Sequence, residues 1–356
     1  MTTLIFPAGM PRAIAYMGDC VKQRKAIVGA SSLVNDPCRD QYEEWEFLPY
    51  VNDKEFGYAL SALLQRCAVT EVFTANPVVW DVLKGLLPKL APTVSLLGES
   101  PAAEMLAGYR SSKQVADRLW ENRDFLGLPA SSKARMGRPA FNALVRHADV
   151  IPGMCDHQKM LVLSEIFRDT PAGDIVEIGS WWGKSAFILA YLARQYDVGN
   201  LLCVDPWSDA HLVQDDKLVD QLSAEVSAEE AHQVFLANLM PYSDGNINFL
   251  RLPSVEGAAE YRKHRTVQTD GFGTTAYKGS IAVLHIDGNH EHSAVAADTH
   301  AWADLVIDGG WIVFDDYKWP YGDGPKLAAD GYLASGARSI SSAFFSGGAL
   351  FVRVGA

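Results

Sequence analysis

Two acidic turns are the part of this 356-residue sequence best suited to chemistry. Asp287 follows an apolar run and is followed three positions later by His290, while Asp315 and Asp316 follow a second apolar run. Because the carboxyl ends of adjacent parallel strands meet at one sheet edge, we expect the three carboxylates to lie together. Such a cluster is costly unless a cation neutralises it, and oxygen ligands suit Mg²⁺ or a similar divalent ion. The sequence therefore predicts a metal site at Asp287, Asp315 and Asp316.

Simpler interpretations of these residues stay open. In the simpler interpretation, Asp315 and Asp316 are solvated acids at the end of a strand and bind no metal. Among the three nearby histidines, the spacing from Asp287 favours His290 as the one that takes part in chemistry. We expect His285 to point into the sheet packing and His292 to enter the following helix.

A glycine turn precedes these residues in the chain. Gly179 and Gly183 belong to an E-x-G-x-x-x-G pattern that runs from an apolar strand into a helix, where the backbone approaches a ligand closely and helix N–H groups are free. Asp205 ends the next apolar strand, 22 positions after Gly183, where an acid accepts hydrogen bonds from ribose hydroxyls. The pattern departs from G-x-G-x-x-G, which favours a ligand without pyrophosphate, such as S-adenosylmethionine. The alternative is a turn that serves only chain reversal.

With these motifs, residues from about 150 to 356 resemble the class I S-adenosylmethionine-dependent methyltransferases. The resemblance implies that Glu177 and the two turn glycines surround the methionine part of the cofactor, and that Ser254 lies near adenine. The predicted cofactor-binding residues are Glu177, Gly179, Ser180, Gly183, Asp205, Ser254 and Asp287.

The D-G-x-H turn and the acidic pair resemble, more narrowly, the metal-dependent sugar O-methyltransferases of the macrocin and mycinamicin type. That resemblance implies that His290 is the general base and that the acceptor is a hydroxyl of a small molecule, a sugar or another vicinal diol. The acidic pair is often Glu-Asp in that group and is Asp-Asp here. Two alternatives remain: a metal-independent small-molecule methyltransferase and a non-catalytic cofactor-binding protein.

The order of strands and helices predicts how these residues are positioned. Apolar runs alternating with helical patterns indicate an α/β protein: a Rossmann-like methyltransferase domain, with a mostly parallel sheet and a C-terminal antiparallel hairpin, preceded by a smaller α/β domain. The predicted division is a small α/β domain over 1–100, a helical connector over 101–150 and the methyltransferase domain over 151–356.

The N-terminal region resembles the opening region of ATP-grasp enzymes. The resemblance rests on Ser100-Pro101-Ala102-Ala103-Glu104, Ser111-Ser112-Lys113 and Gly127-Leu128-Pro129. The chain then enters the methyltransferase region, so the ATP-binding body is missing and ligase activity is not implied. We expect a structural, substrate-gripping or oligomerising role.

The composition of the chain narrows the classes of partner that we expect it to bind. A formal net charge of −12 opposes binding to nucleic acid, and no apolar run is long enough to suggest a membrane span. Five scattered cysteines and a start without a signal-peptide pattern indicate reduced thiols and a cytoplasmic location. The expected partner is a small-molecule hydroxyl acceptor, and a homo-oligomer stays open.

Overall fold

A computed structural model describes residues 1–126, Leu128, Ser131, 133–212 and 225–355. They form two compact units, Met1–Arg110 and Ser111–Ala356. Residues of the predicted connector, 101–150, thus belong to both units. Within that connector, the stretch over 127–132 lies largely outside the described residues.

The first unit contains a parallel sheet with the strand order β3-β2-β1-β4-β5. Its strands are β1 (Thr2–Ile5), β2 (Ala26–Ser31), β3 (Trp45–Phe47), β4 (Val69–Phe73) and β5 (Ser95–Leu96). Its helices are α1 (Pro11–Lys22), α2 (Phe56–Arg66) and α3 (Pro77–Leu90), and α4 (Pro101–Asn122) extends across the division.

The core of the first unit is built from the middle of this sheet. Leu4, Val28 and Val72 are fully buried and pack with leucines of α2 and α3. Burial on both faces is what a parallel sheet covered by helices requires. Helix α3 begins where the Asn76 side chain accepts hydrogen bonds from the N–H groups of Val78 and Val79, at 2.9 and 3.1 Å.

The second unit contains a seven-stranded sheet with the order β13-β14-β12-β11-β6-β7-β8. The strands of this sheet are β6 (Asp174–Ile178), β7 (Leu201–Val204), β8 (Ile247–Leu250), β11 (Ile281–Ile286), β12 (Val306–Phe314), β13 (Ile340–Ser346) and β14 (Ala349–Val354). Strands β9 (Thr266–Thr269) and β10 (Gly273–Ala276) form a separate two-stranded ribbon. Its helices are α5 (Arg138–Val150), α6 (His157–Ile166), α7 (Lys184–Gln195), α8 (Asp209–Leu212), α9 (Ala228–Leu239), α10 (Ser254–Lys263), α11 (His292–Trp302) and α12 (Gly324–Ser335).

This sheet confirms the predicted fold class. Strands β6, β7, β8, β11 and β12 are parallel, and β13 and β14 form the predicted antiparallel hairpin. Along β6, Ile175 packs into one hydrophobic core and Val176 and Ile178 pack into another, so helices cover both faces. The carboxyl ends of β6, β7, β11 and β12 therefore lie side by side.

The segment over 261–279 lies at the edge of the sheet opposite the carboxyl ends of its strands. It contains the ribbon of β9 and β10, and the backbone N–H groups of Lys278 and Gly279 donate to Asp174 at the start of β6. The Tyr277 hydroxyl donates to the carbonyl oxygen of Leu201, at the start of β7. These contacts hold the segment at the edge of the sheet where β6 and β7 begin, opposite the carboxyl ends of the strands.

Among the described helices, none is both long enough and apolar enough to cross a membrane.

Candidate active site

The glycine turn joins β6 to α7 at the carboxyl edge of the sheet. Gly179 and Gly183 have φ angles of 80° and 87°, in the left-handed region that glycine adopts readily. A Cβ atom at Gly179 would collide with the backbone of Asp287. Gly183 directly precedes α7, whose first turn has no side-chain cap. The turn is thus fitted against the loop that follows β11.

Asp205 holds this turn in place. Its Oδ2 accepts the N–H groups of Ser180 and Trp181 at 2.9 and 3.0 Å, and its Oδ1 accepts that of Trp207 at 2.8 Å. Burial raises the pKa of the Asp205 carboxyl, although these three hydrogen bonds oppose the shift. Since Oδ1 has one donor, it keeps capacity for a ribose hydroxyl.

Glu177 lies behind the turn rather than on its surface. Its side chain is fully buried, accepts the Ser180 hydroxyl at 2.6 Å and lies 3.2 Å from Nδ1 of His285. His285 is also fully buried, and its Nε2 lies 3.4 Å from Oδ2 of Asp315. Glu177 and Asp315 are therefore connected through a histidine that sequence reasoning treated as packing.

Lys159 is the main residue that sequence reasoning missed. It lies in α6, only 1% exposed, and its ammonium group pairs with the Asp315 carboxylate. Burial opposes the charge on both groups, but the mutual attraction raises the pKa of Lys159 and lowers that of Asp315. The cluster of acids thus contains a cation supplied by the chain itself.

Asp287, His290 and Asp316 form the more accessible part of the cluster. One ligand atom from each lies within 4.8 Å of the others, and Nε2 of His290 is 3.1 Å from Oδ2 of Asp316. The His290 ring lies 4.1 Å, centroid to centroid, from that of Trp319. Burial and the neighbouring Asp315 raise the pKa of Asp287. Asp287 also forms a close group with His285 and Asp315.

Ser254 lies at the start of α10, where its hydroxyl and carbonyl oxygens accept the indole N–H of Trp302 at 3.0 and 3.1 Å. Nearby, burial raises the pKa of Asp298 to about 6, partly offset by the Ser254 hydroxyl. Asp298 also faces the turn after β11, since a Cβ atom at Gly288 would lie 3.4 Å from its Oδ2. The predicted adenine contact therefore has a buried carboxyl group beside it.

The carboxyl edge brings together the glycine turn, Asp205, Asp287, His290 and Asp316. It places Glu177 beneath that surface and pairs Asp315 with Lys159. The sequence signal that would have found Lys159 is its position directly before the apolar run 160–163, and the structure shows that residues 159 to 166 of this helix are all buried. A lysine in that position needs a buried partner.

Residues 176–317 match a family model described as a methyltransferase domain. Similar solved structures include the O-methyltransferase NovP, with 18% identity over 56% of this chain and 80% of that chain and a TM-score of 0.39. Another is apo CalS11, a TDP-rhamnose 3'-O-methyltransferase of calicheamicin biosynthesis, with 15% identity over 72% and 96% of the two chains and a TM-score of 0.37. A third is the MycE methyltransferase of the mycinamycin pathway in complex with Mg and SAH, with 16% identity over 64% and 56% and a TM-score of 0.37. No curated protein matches the chain.

The family match covers the glycine turn, Asp205 and both acidic turns. The second unit thus contains a methyltransferase domain, and the sequence prediction of a Rossmann-like methyltransferase is confirmed.

Proposed function

We propose that the second unit transfers a methyl group from S-adenosylmethionine to a hydroxyl group of a small molecule, a sugar or another vicinal diol. The observation that carries the proposal is the contact between His290 and Asp316 at the same sheet edge as the glycine turn. A base at that edge is what methyl transfer to oxygen needs.

The cofactor would be held by the backbone and by one acid. The uncapped first turn of α7, after Gly183, offers N–H groups to the carboxylate of the methionine part. Asp205 has a free acceptor position on Oδ1 for a ribose hydroxyl. The N–H groups of α7 thus donate hydrogen bonds and Asp205 accepts one, as S-adenosylmethionine requires.

In the proposed reaction, the acceptor oxygen forms a bond to the methyl carbon while the bond from carbon to the sulfonium sulfur breaks. His290 takes the hydroxyl proton, and S-adenosylhomocysteine leaves with the electron pair of the broken bond. Asp316 orients the imidazole ring and stabilises the positive charge that proton transfer creates. The remaining work of the site is alignment of the oxygen with the methyl group.

A divalent cation fits the accessible part of the cluster. Asp287 and Asp316 would hold it, with Mg²⁺ favoured by their oxygen ligands. When bound, it would supply Lewis acidity that makes the acceptor hydroxyl easier to deprotonate. Asp315, the third predicted ligand, is already paired with Lys159, so we assign it to the support of the cluster.

The test of the function is transfer of labelled methyl groups from S-adenosylmethionine to a panel of glycosides and other vicinal diols. With an acceptor identified, His290→Ala should lower kcat by about 10²- to 10⁴-fold, the usual contribution of a general base, at unchanged cofactor affinity. His292→Ala is the matched control, because His292 is exposed at the first position of α11 and should keep full activity. Equal activity of both variants would remove His290 from the reaction.

Metal-independent methyl transfer is a second candidate, favoured by the cation that Lys159 already supplies to Asp315. Binding of Mn²⁺, measured by electron paramagnetic resonance, distinguishes the two. We expect Asp316→Asn to lose Mn²⁺ binding and Asp315→Asn to change it much less. If the parent protein binds no Mn²⁺ and stays active in chelator, the metal-independent candidate replaces the first.

A further inference from the structure

The first unit contains a cavity of about 490 Å³ at the carboxyl end of its parallel sheet. The chain runs from β1 outward to β2 and β3 and then returns to place β4 on the other side of β1. The loops after β1 and β4 diverge at that switch point, and residues of both, such as Met10 and Asn76, line the cavity. Open α/β sheets bind their ligands at this position.

One carboxylate dominates the polar lining of this cavity. Asp36, in the loop after β2, is only 8% exposed. Its Oδ1 accepts the N–H of Cys38 at 2.9 Å, while its Oδ2 has no hydrogen-bond donor among the described residues. A Cβ atom at Gly9 would lie 2.9 to 3.0 Å from both carboxylate oxygens, so the loop after β1 passes directly against this group. A buried carboxylate with a free oxygen favours a ligand that donates hydrogen bonds.

The rest of the lining complements this carboxylate. Asn76 uses its oxygen to cap α3, which leaves its NH₂ group to donate to a ligand. Leu33, Tyr50 and Val78 are 51%, 60% and 63% exposed at the cavity, although each is large and apolar. None of the lining residues is lysine, arginine or histidine, so the cavity offers no cation to a phosphate. These features suit an uncharged ligand with a flat apolar part and neighbouring hydroxyl groups.

We propose that the first unit binds a ribonucleoside, with the ribose hydroxyls on Asp36 and the base against Leu33, Tyr50 and Val78. An acid after the second strand accepts ribose hydroxyls in sheets of this kind. The cavity falls within the roughly 300 to 1,000 Å³ of pockets that hold small molecules. This site belongs to the first unit and is independent of the proposed methyl transfer.

Calorimetric titration of the full chain with adenosine, guanosine, cytidine and uridine tests this site. Saturating S-adenosylhomocysteine is present throughout, so that the proposed cofactor site is filled. We expect saturable binding of at least one nucleoside, and at least tenfold weaker binding of its 2',3'-dideoxy analogue.

Asp36→Asn should weaken that binding at least tenfold, and Asp40→Asn, at an exposed acid nearby, should not. Tyr50→Ala, at an exposed position, gives a second variant whose folding is not at risk. The proposal is overturned if none of the four nucleosides binds, if the dideoxy analogue binds equally well, or if folded Asp36→Asn and Tyr50→Ala both keep the parent affinity.

Discussion

Asp298 illustrates how a single buried carboxyl group makes stability depend on pH. Its pKa is raised to about 6 by burial, so the folded protein holds the proton more tightly than the unfolded chain. Between about pH 4 and pH 6 the folded state therefore loses stability as pH rises, and above that range the loss is constant. The difference between this pKa and the ordinary value of an aspartate corresponds to about 3 kcal/mol of stability.

We expect Asp298→Asn to be more stable than the parent at pH 8 by up to about 3 kcal/mol, because an amide carries no charge to bury. The advantage should disappear near pH 4, where the parent carboxyl is protonated. Urea unfolding at the two pH values measures the difference. A stability gain of equal size at both pH values would show that titration of Asp298 is not the source of the gain.

At the level of elements, the turn between β6 and α7 distinguishes two glycines with similar φ angles. Gly179 faces the backbone of Asp287, which cannot move aside without disturbing β11. A Cβ atom at Gly183 would lie 3.1 Å from the ring of Phe235 and 3.3 Å from Leu239, which are side chains that can adjust. The first glycine is required by packing within the protein as well as by any ligand.

Gly179→Ala should therefore unfold at a much lower temperature than Gly183→Ala, although both pay for a left-handed backbone at a non-glycine residue. Thermal unfolding followed by circular dichroism makes the comparison. An equal fall of the unfolding temperature in the two variants would mean that the loop containing Asp287 moves aside easily.

The elements also show what the sequence could predict. The fold class and the C-terminal hairpin were predicted from the sequence, because β6, β11 and β14 are strongly patterned apolar runs. Strand β1 and helix α1 were not predicted, since a four-residue strand at the chain start carries little pattern of its own. Local spacing likewise placed the acids at one edge but gave no sign of which acid is paired, because the Lys159 to Asp315 contact joins residues 156 positions apart.

At the level of the whole molecule, the two units have separate hydrophobic cores. Every core residue around Leu4 and Leu60 belongs to the first unit, and every core residue around Val176 and Ile175 belongs to the second. Chains with several cores commonly unfold in more than one step.

We therefore predict that S-adenosylhomocysteine raises the unfolding midpoint of the second unit and leaves that of the first unchanged, since a ligand stabilises only what it binds. Hydrogen exchange read by mass spectrometry, peptide by peptide through a thermal ramp, assigns each transition. Protection that rises equally in both units would contradict this independence.

Lys159 has a consequence for how the protein is made. Where a metal ion alone neutralises a group of carboxylates, folding depends on the concentration of that ion. Here the ammonium group of Lys159 in α6 belongs to the same polypeptide as Asp315, so each molecule contains one such cation for that carboxylate. The nascent chain carries this counter-charge from synthesis onward, so refolding from denaturant should reach the same yield in ion-depleted buffer as in buffer with Mg²⁺.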